Sequence, residues 1–326
     1  MTSLAHQNKA NVWLLAGVNM VLSLILSYTH LIYTTKLFDW WPFLGFVGEQ
    51  PFQSRVLPFL LANWVDKFHR LSDHSLALLF LAMDLGGILA CVFFIWKTTQ
   101  ALQTNKRHTR LIFVLFWWQM FATFVISPVH NYYYPYDMMS LAFIALAIWM
   151  IVTGQGLVSL LSVSVLAMTN RETAIVIPFF YLAFNWPARK PVWRDFTILL
   201  LACILVKTII SMTLHVTNGN ISLYHVPGFL RFYYNFSFVT GNPKLMHTLN
   251  AAFAFGFAWV LLFMGGPADR RLRNMLWCFV PYLAGMAVVG NLSEIRIFAE
   301  FIPLMALLLA GKLADDEARA PALAQA

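Results

Sequence analysis

The residues of this chain that could do chemistry are charged side chains beside or inside long apolar segments. Ionisable groups near hydrocarbon are costly and are kept mainly where they face a polar cavity or one another. Most of these charges fall, by our topology, at the outer ends of the apolar segments: Asp39, Glu49, Arg55, Asp137, Arg171, Glu172, Glu294 and Arg296. Others lie within apolar segments: Asp84, Lys207 and Glu300. The pattern predicts a polar site at one face of a helical bundle.

The strongest local pattern is the segment from Phe52 to Pro58, which contains Arg55 and is preceded by Glu49. We expect Arg55 at the start of a short helix, where its guanidinium can hold a phosphate through two hydrogen bonds. The backbone N–H groups of a helix start favour the same anion. The alternative is that Arg55 only extends toward lipid head groups.

Two further segments combine arginine with glutamate. Arg171 and Glu172 lie between two short apolar segments, and they fit either a substrate clamp or a structural ion pair. Glu294 precedes Arg296, and Glu300 follows Arg296 by four residues. On an α-helix that spacing puts Arg296 and Glu300 on one face, so we expect them to neutralise each other.

The segment 130–137 is an aromatic loop that ends in a carboxylate. Aromatic faces suit sugar rings, because the rings present C–H surfaces while their hydroxyl groups need acceptors. Tyr134 and Asp137 are therefore candidate substrate-binding residues. The alternatives are an ordinary belt of interfacial tyrosines and, for Asp137, a role as a helix N-cap.

Helices in a membrane must position these residues, because the chain is too apolar for a soluble protein. Hydrophobic residues make up 60% and charged residues 11% of the chain, and the mean hydropathy is +0.68. In soluble proteins, about a quarter of the residues are charged. At roughly 20 residues per span, the chain has room for about ten crossings. We predict one all-α integral membrane domain over 1–326, embedded over 12–311, with a disordered cytoplasmic tail at 312–326.

The candidate spans follow from the apolar runs, and two of them, 157–168 and 174–185, are short. We interpret these two as separate helices joined by a hinge at the outer surface rather than as one long helix. The apolar stretch Val56–Val65 predicts a short interfacial helix in the first outer loop. The full set of spans is 12–33, 74–96, 111–127, 137–153, 157–168, 174–185, 195–215, 247–264, 275–290 and 297–311.

The net charge of +8 comes largely from Lys and Arg in short loops between these spans. Threaded alternately, the spans give the inner loops the higher density of basic residues, as the positive-inside rule requires. Both termini are therefore expected in the cytoplasm, and the compact, Ala-tailed chain is assigned to a bacterial inner membrane. This use of the basic residues gives no reason to expect a nucleic-acid partner.

This arrangement resembles the GT-C superfamily of membrane glycosyltransferases. The shared features are a first span, a long outer loop with an interfacial helix, many further spans, and a charged site that faces outward. The resemblance implies a polyprenyl-phosphate-linked sugar as donor and an inverting transfer at the periplasmic face. It further implies that a carboxylate, Asp39 or Glu49, takes the proton from the acceptor hydroxyl.

The same resemblance implies roles for the other charged residues. Arg55, Arg171 or Arg296 would stabilise the negative charge on the leaving phosphate. Glu172 or Glu294 would complement the oxocarbenium-like charge on the sugar. The apolar bundle would hold the lipid tail of the donor. No ligand spacing requires a metal, and a divalent cation stays open as a cofactor.

Two other classes of function stay open. In a transporter or lipid flippase, Asp84, Lys207 and Glu300 would form a relay near the midplane of the membrane. The simpler interpretation of two of them is that Asp84 and Lys207 pair with each other and lock the bundle. A non-catalytic subunit of an envelope-assembly complex, whose protein partners are unknown, would tolerate neutralisation of Glu49 and Arg55.

Overall fold

The computed structural model is a bundle of helices. Every regular element is helical within the residues that it describes, which confirms the predicted all-α class. The described residues are 2–33, 39–48, 52–126, 133–187, 189–214, 253–264, 269–290, 292 and 294–311.

Most predicted spans correspond to a helix, but the spans predicted at 275–290 and 297–311 are each divided into two elements. The α-helices are α1 (Thr2–Tyr33), α2 (Trp41–Leu44), α3 (Val56–His69), α4 (Asp73–Ala101), α5 (Lys106–Phe124), α6 (Asp137–Val152), α7 (Leu157–Asn170), α8 (Val176–Phe184), α9 (Lys190–Thr213), α10 (Arg270–Leu276), α11 (Phe279–Val289) and α12 (302–311). Tighter 3-10 segments cover Phe52–Ser54, Glu172–Ile175, Ala254–Met264 and Ile295–Phe301.

Three of the described helices are long and apolar enough to cross a membrane: Trp13–Ile32 within α1, α4 and α9. Helices α6, α7 and α8 are also apolar but shorter. The long helices indicate association with a membrane. The ten crossings predicted from the sequence would require the shorter helices to cross as well.

The two short elements predicted from the sequence are separate helices, as expected. The backbone of Arg171 is extended, with φ −160° and ψ 135°, and this conformation ends α7. The 3-10 turn Glu172–Ile175 then leads into α8. The helix predicted in the first loop is also present as α3, and Arg55 is the residue immediately before it.

The most extensive contact between helices joins α4 and α6, and a glycine makes it close. A Cβ atom added at Gly87 would lie 2.7 Å from the carbonyl carbon of Met138. Since Gly87 is in the middle of α4, the first turn of α6 lies about 20 Å along α4 from Asp73, at 1.5 Å per residue. The start of α6 is therefore recessed relative to the start of α4.

Aromatic side chains pack in this recess against the first half of α4. Phe80 of α4 is a member of the cluster, and the rings of Phe43 and Phe59 stack with centroids 5.1 Å apart. Tyr133 and Tyr134 are buried, so the interpretation of these tyrosines as an interfacial belt is wrong. We call the cluster the aromatic layer, and it consists of Trp40, Phe43, Phe52, Phe59, Phe80, Tyr133, Tyr134 and Tyr136.

Candidate functional site

Asp137, the first residue of α6, pairs with two arginines at once. Its Oδ1 lies 3.1 Å from Nη1 of Arg171, and its Oδ2 lies 3.0 Å from Nη1 of Arg296. The three side chains are almost completely buried, and a buried charge is tolerated only when it is paired and hydrogen-bonded. Asp137 thereby connects α6, the hinge after α7 and the segment before α12. It is not the N-cap of α6, because Tyr136 occupies that position.

Two more carboxylates complete the neutralisation of these arginines. Nε of Arg171 lies 3.4 Å from Oε1 of Glu300, and Nη2 of Arg296 lies 2.5 Å from Oε2 of Glu294. The predicted pair of Arg296 and Glu300 is therefore wrong. Both residues lie in a 3-10 segment, where three residues make a turn and residues four apart no longer share a face. We call Asp137, Arg171, Glu294, Arg296 and Glu300 the ion network.

Hydroxyl groups hold Glu300 at its end of the ion network. The hydroxyl of Thr173 donates to Oε1 of Glu300, and that of Tyr282 lies 3.4 Å from Oε2. Asn170, just before the hinge, donates 3.0 Å to the carbonyl oxygen of Tyr136. Thr173 and Tyr282 were not among the candidates predicted from the sequence. Polar side chains at the ends of apolar helices were the available signal.

Arg55 and Glu172 form a second, separate pair with two hydrogen bonds. Nε and Nη2 of Arg55 donate to the two carboxylate oxygens of Glu172 at 3.3 and 3.1 Å. Nη1 of Arg55 donates to the hydroxyl of Tyr136, and its guanidinium lies 4.5 Å from the centroid of that ring. The side chain of Arg55 is 11% exposed, so it does not extend toward lipid head groups as the alternative interpretation proposed.

Lys207 of α9 reaches this pair from the other side. Its Nζ donates to Oγ of Ser54 at 3.1 Å, next to Arg55 in the chain. Burial alone would raise the pKa of Glu172, but the charge and hydrogen bonds of Arg55, together with the charge of Lys207, lower that pKa to about 2. Glu172 is therefore an ionised carboxylate between two cations at any physiological pH.

Asp84 pairs with His30 and not with Lys207, so the predicted pair of Asp84 and Lys207 is wrong. Oδ2 of Asp84 lies 2.8 Å from Nδ1 of His30, and both side chains are buried. The reason is the packing of the helices: α4 lies against α1 and α6, whereas α9 lies against α7 and α8. A histidine inside the apolar span α1 was a signal that the sequence analysis overlooked.

Tyr134 and Asp39 differ in exposure. The guanidinium of Arg296 lies 3.8 Å from the centroid of the Tyr134 ring, which is buried in the aromatic layer. Asp39 is exposed and accepts a hydrogen bond of 3.1 Å from the backbone of Trp41. With Asp73, it lines a pocket of about 200 Å³. Glu49, the other candidate base, lies outside the described residues.

No family model, curated protein or solved structure matches this chain. What the site can do must be argued from its geometry alone. Within the described residues, no group of three or more His, Cys, Asp and Glu side chains could hold a metal ion.

The site has a buried part and a partly exposed edge. In the ion network, Asp137 is 1% and Glu300 2% exposed, and their charges are satisfied by the arginines. At the edge, the Glu172 side chain is 31% exposed beside Arg55. Lys207 is half-buried there. The edge therefore presents two cations and one exchangeable carboxylate to an incoming polar group, while the ion network fixes the surrounding helices.

Proposed function

We propose that this chain is a membrane glycosyltransferase that moves a sugar from a polyprenyl-phosphate donor to an acceptor at the outer, periplasmic face. The observation that carries the proposal is the placement of Arg55 at the start of α3, oriented by Glu172 and Tyr136 with Lys207 nearby. Preoriented cations stabilise the charge that develops on a leaving phosphate. A bidentate guanidinium is well suited to that group.

The structure refines the roles that the resemblance implied for the arginines. Arg171 and Arg296 each contact two carboxylates, and they are almost completely buried. A phosphate could reach them only by displacing one of these carboxylates. We therefore propose that Arg55 and Lys207 contact the donor phosphate, and that Arg171 and Arg296 position the helices that hold Arg55.

The proposed base is Asp39 or Glu49. Asp39 is an exposed carboxylate beside Trp41, and an indole face suits a sugar ring. The segment that carries Asp39 is tied to the start of α3, because the side chain of Gln53 accepts a hydrogen bond of 2.8 Å from the backbone of Gly48.

The lipid part of the donor would occupy an apolar surface of the bundle. An apolar groove of about 500 Å³ lies between α1 and α4, lined by Ile25, Tyr28, Leu81 and other residues. A prenyl chain in that groove would be held by apolar contact alone. In this proposal the chain lies in a bacterial inner membrane with both termini in the cytoplasm, and a divalent cation is an optional aid to phosphate departure.

The test is mass spectrometry of polyprenyl-linked sugars and surface glycans. The strains lack the gene, carry it intact, carry Arg55→Gln, or carry Arg194→Gln as a control. Arg194 is 69% exposed and pairs only with its neighbour Asp195 among the described residues. We expect one lipid-linked sugar to accumulate, with one glycan residue missing, in the deletion and Arg55→Gln strains only. Unchanged lipids and glycans in the deletion strain would refute the proposal and favour a non-catalytic subunit.

A second candidate is a transporter or lipid flippase, and one observation favours it. His30 and Asp84 form a buried pair between two helices that are long enough to cross a membrane. Buried ionisable pairs of this kind occur in proton relays. The relay predicted from Asp84, Lys207 and Glu300 is not formed, because each has a different partner.

The side on which the lipid-linked sugar accumulates separates the two candidates. A flippase defect leaves the sugar on the cytoplasmic leaflet, where periodate added to spheroplasts cannot oxidise it. A transferase defect leaves it on the periplasmic leaflet, where periodate can.

A further inference from the structure

We propose that Arg55, Ser54 and Lys207 form a binding site for a phosphate group, and that the carboxylate of Glu172 occupies this site until a phosphate displaces it. The inference rests on the proposed function in one respect: if that function is right, the phosphate is the one that links the sugar to the lipid. The binding step itself is independent of any transfer reaction.

The first support is the geometry around Arg55. Two of its nitrogens face the two oxygens of Glu172 at 3.1 and 3.3 Å, an arrangement that a phosphate can reproduce with two of its oxygens. Its third nitrogen donates to the hydroxyl of Tyr136, so the guanidinium keeps its orientation if Glu172 leaves. Glu172 thus stands where an anionic ligand would bind.

The second support is the unusual position of Lys207. It lies six residues before the end of the apolar helix α9, about 9 Å along the helix. Its hydrogen-bond partner within the described residues is the neutral hydroxyl of Ser54, not a carboxylate. A cation in such a position needs an anion, and Glu172 is close enough for the charge of Lys207 to act on its carboxylate.

The third support is that Glu172 is the carboxylate that can leave. Its side chain is 31% exposed, compared with 12% for Glu294 and 1% for Asp137. The other carboxylates neutralise Arg171 and Arg296, so departure of Glu172 uncovers Arg55 and Lys207 alone. Two uncovered cations suit both phosphates of the proposed reaction: the diester that links sugar to lipid carries one negative charge, and the monoester that leaves on transfer carries about −1.5 to −2 at pH 7.

Displacement explains why a carboxylate is present in an anion site. Glu172 belongs to the short turn between α7 and α8, and its side chain is partly exposed there. With a pKa of about 2, it stays ionised and competes with the phosphate at every physiological pH. Without a ligand, it prevents two buried cations from facing each other. The apparent affinity for phosphate is reduced by the fraction of time that Glu172 is bound.

The test is isothermal titration calorimetry of the full-length chain in phosphatidylcholine nanodiscs. One arm uses inorganic phosphate and the other uses farnesyl phosphate, so that a free phosphate and a lipid head group are distinguished. If Arg55 is uncovered about one tenth of the time, Glu172→Gln should tighten binding about ten-fold. Arg55→Gln and Lys207→Met should each abolish measurable binding.

The matched control is Glu294→Gln, which also removes one negative charge but leaves Arg55 covered. The proposed site is supported if Glu172→Gln, and not Glu294→Gln, tightens the binding of either probe about ten-fold. The probe that responds shows whether the bound phosphate is free or belongs to a lipid. Equal tightening by both variants, or no binding of either probe to any variant, overturns it. Glu172→Asp, which is one methylene shorter, should tighten binding less than Glu172→Gln and serves if the amide variant does not fold.

This result and the glycan profiles are separable. Phosphate binding with unchanged glycans would refute the transferase and leave the site standing. Altered glycans without tightening by Glu172→Gln would refute the exchange and leave the transferase standing.

Discussion

At Asp137, a single carboxylate neutralises two buried guanidinium groups, and this makes it the residue on which the ion network depends. Breaking a buried ion pair by removing one partner costs about 3–5 kcal/mol, because the remaining charge is uncompensated. Arg171 and Arg296 each retain one carboxylate, so we expect Asp137→Asn to lower the free energy of unfolding by about 3 kcal/mol.

Denaturant unfolding in mixed detergent micelles measures this effect. Asp195→Asn is the control, because Asp195 pairs with the exposed Arg194. Exposed pairs contribute at most about 1 kcal/mol. Equal losses of unfolding free energy in both variants would show that Asp137 contributes no more to stability than Asp195 does.

Glu172 makes the protein less stable at acidic pH. Its pKa is about 2 in the folded chain, against an ordinary value of 4.5. A lowered pKa contributes stability that is fully present above pH 4.5 and is lost as the pH falls from 4.5 toward 2. We expect the melting temperature to fall over that window, and to fall less steeply in Glu172→Gln. A parallel slope for the two proteins would show that other carboxylates cause the loss.

The sequence predicted which residues are charged at one end of the bundle, but not which of them pair. Arg55 before α3 and the hinge at Arg171 follow from local patterns and are present in the structure. The partners of Arg296 and Asp84 could not be predicted, because they depend on 3-10 winding and on which helices are neighbours. Such features are set by tertiary packing rather than by spacing along the chain.

At the scale of the helices, the contact of α4 with α6 determines how far along α4 Asp137 lies. A Cβ atom at Gly87 would lie 2.7 Å from the backbone of Met138, whereas one at Gly86 has nothing within 4 Å. We expect Gly87→Ala to push α4 and α6 apart and to lower the free energy of unfolding by about 1–3 kcal/mol. Gly86→Ala should instead be neutral or stabilising, by up to about 1 kcal/mol, because alanine favours a helix.

Thermal unfolding of this adjacent pair of variants is a direct comparison, since both add the same methyl group. Equal melting temperatures would contradict the close approach of the two helices. Because the first turn of α6 carries Asp137, Gly87→Ala should also weaken phosphate binding at Arg55, whereas Gly86→Ala should not.

The helices themselves were largely predictable, because apolar runs in a membrane protein form helices that satisfy their own backbone. The shift of each helix along its axis relative to its neighbours was not predictable. The sequence predicts a span at 137–153, and α6 covers sixteen of those residues, but nothing in the sequence shows that the helix starts beside the middle of α4. The break between α10 and α11 was missed because the residues on both sides of it within the predicted span 275–290 are apolar.

For the molecule as a whole, the recessed start of α6 places the ion network about 20 Å along α4 from Asp73. Lys97 lies over the rings of Phe93 and Trp96, a combination that is typical of a membrane interface. Gly87 is about 15 Å from Lys97 along α4, which is half of the roughly 30 Å hydrocarbon core. If α4 spans the membrane with Lys97 at one interface, Asp137, opposite Gly87, lies near the midplane, beneath the aromatic layer.

Asp137 can lie at this depth only if the short helices cross the membrane together with α4. This requirement makes the topology of the whole chain testable. We expect single cysteines at His74, at the start of α4, and at Gln100, at its end, to lie on opposite sides of the membrane. Gln155, between α6 and α7, and Lys190, at the start of α9, should lie on the same side as Gln100. The native cysteines, Cys91, Cys203 and Cys278, are buried and should not interfere.

A membrane-impermeant maleimide applied to spheroplasts distinguishes the two sides. The His74→Cys protein should react in intact spheroplasts, and the Gln100→Cys, Gln155→Cys and Lys190→Cys proteins only after permeabilisation. Reaction of the Gln155 variant in intact spheroplasts would mean that α6 does not cross. Asp137 would then lie outside the bilayer, and the pairing of its charges would follow from burial inside the protein alone.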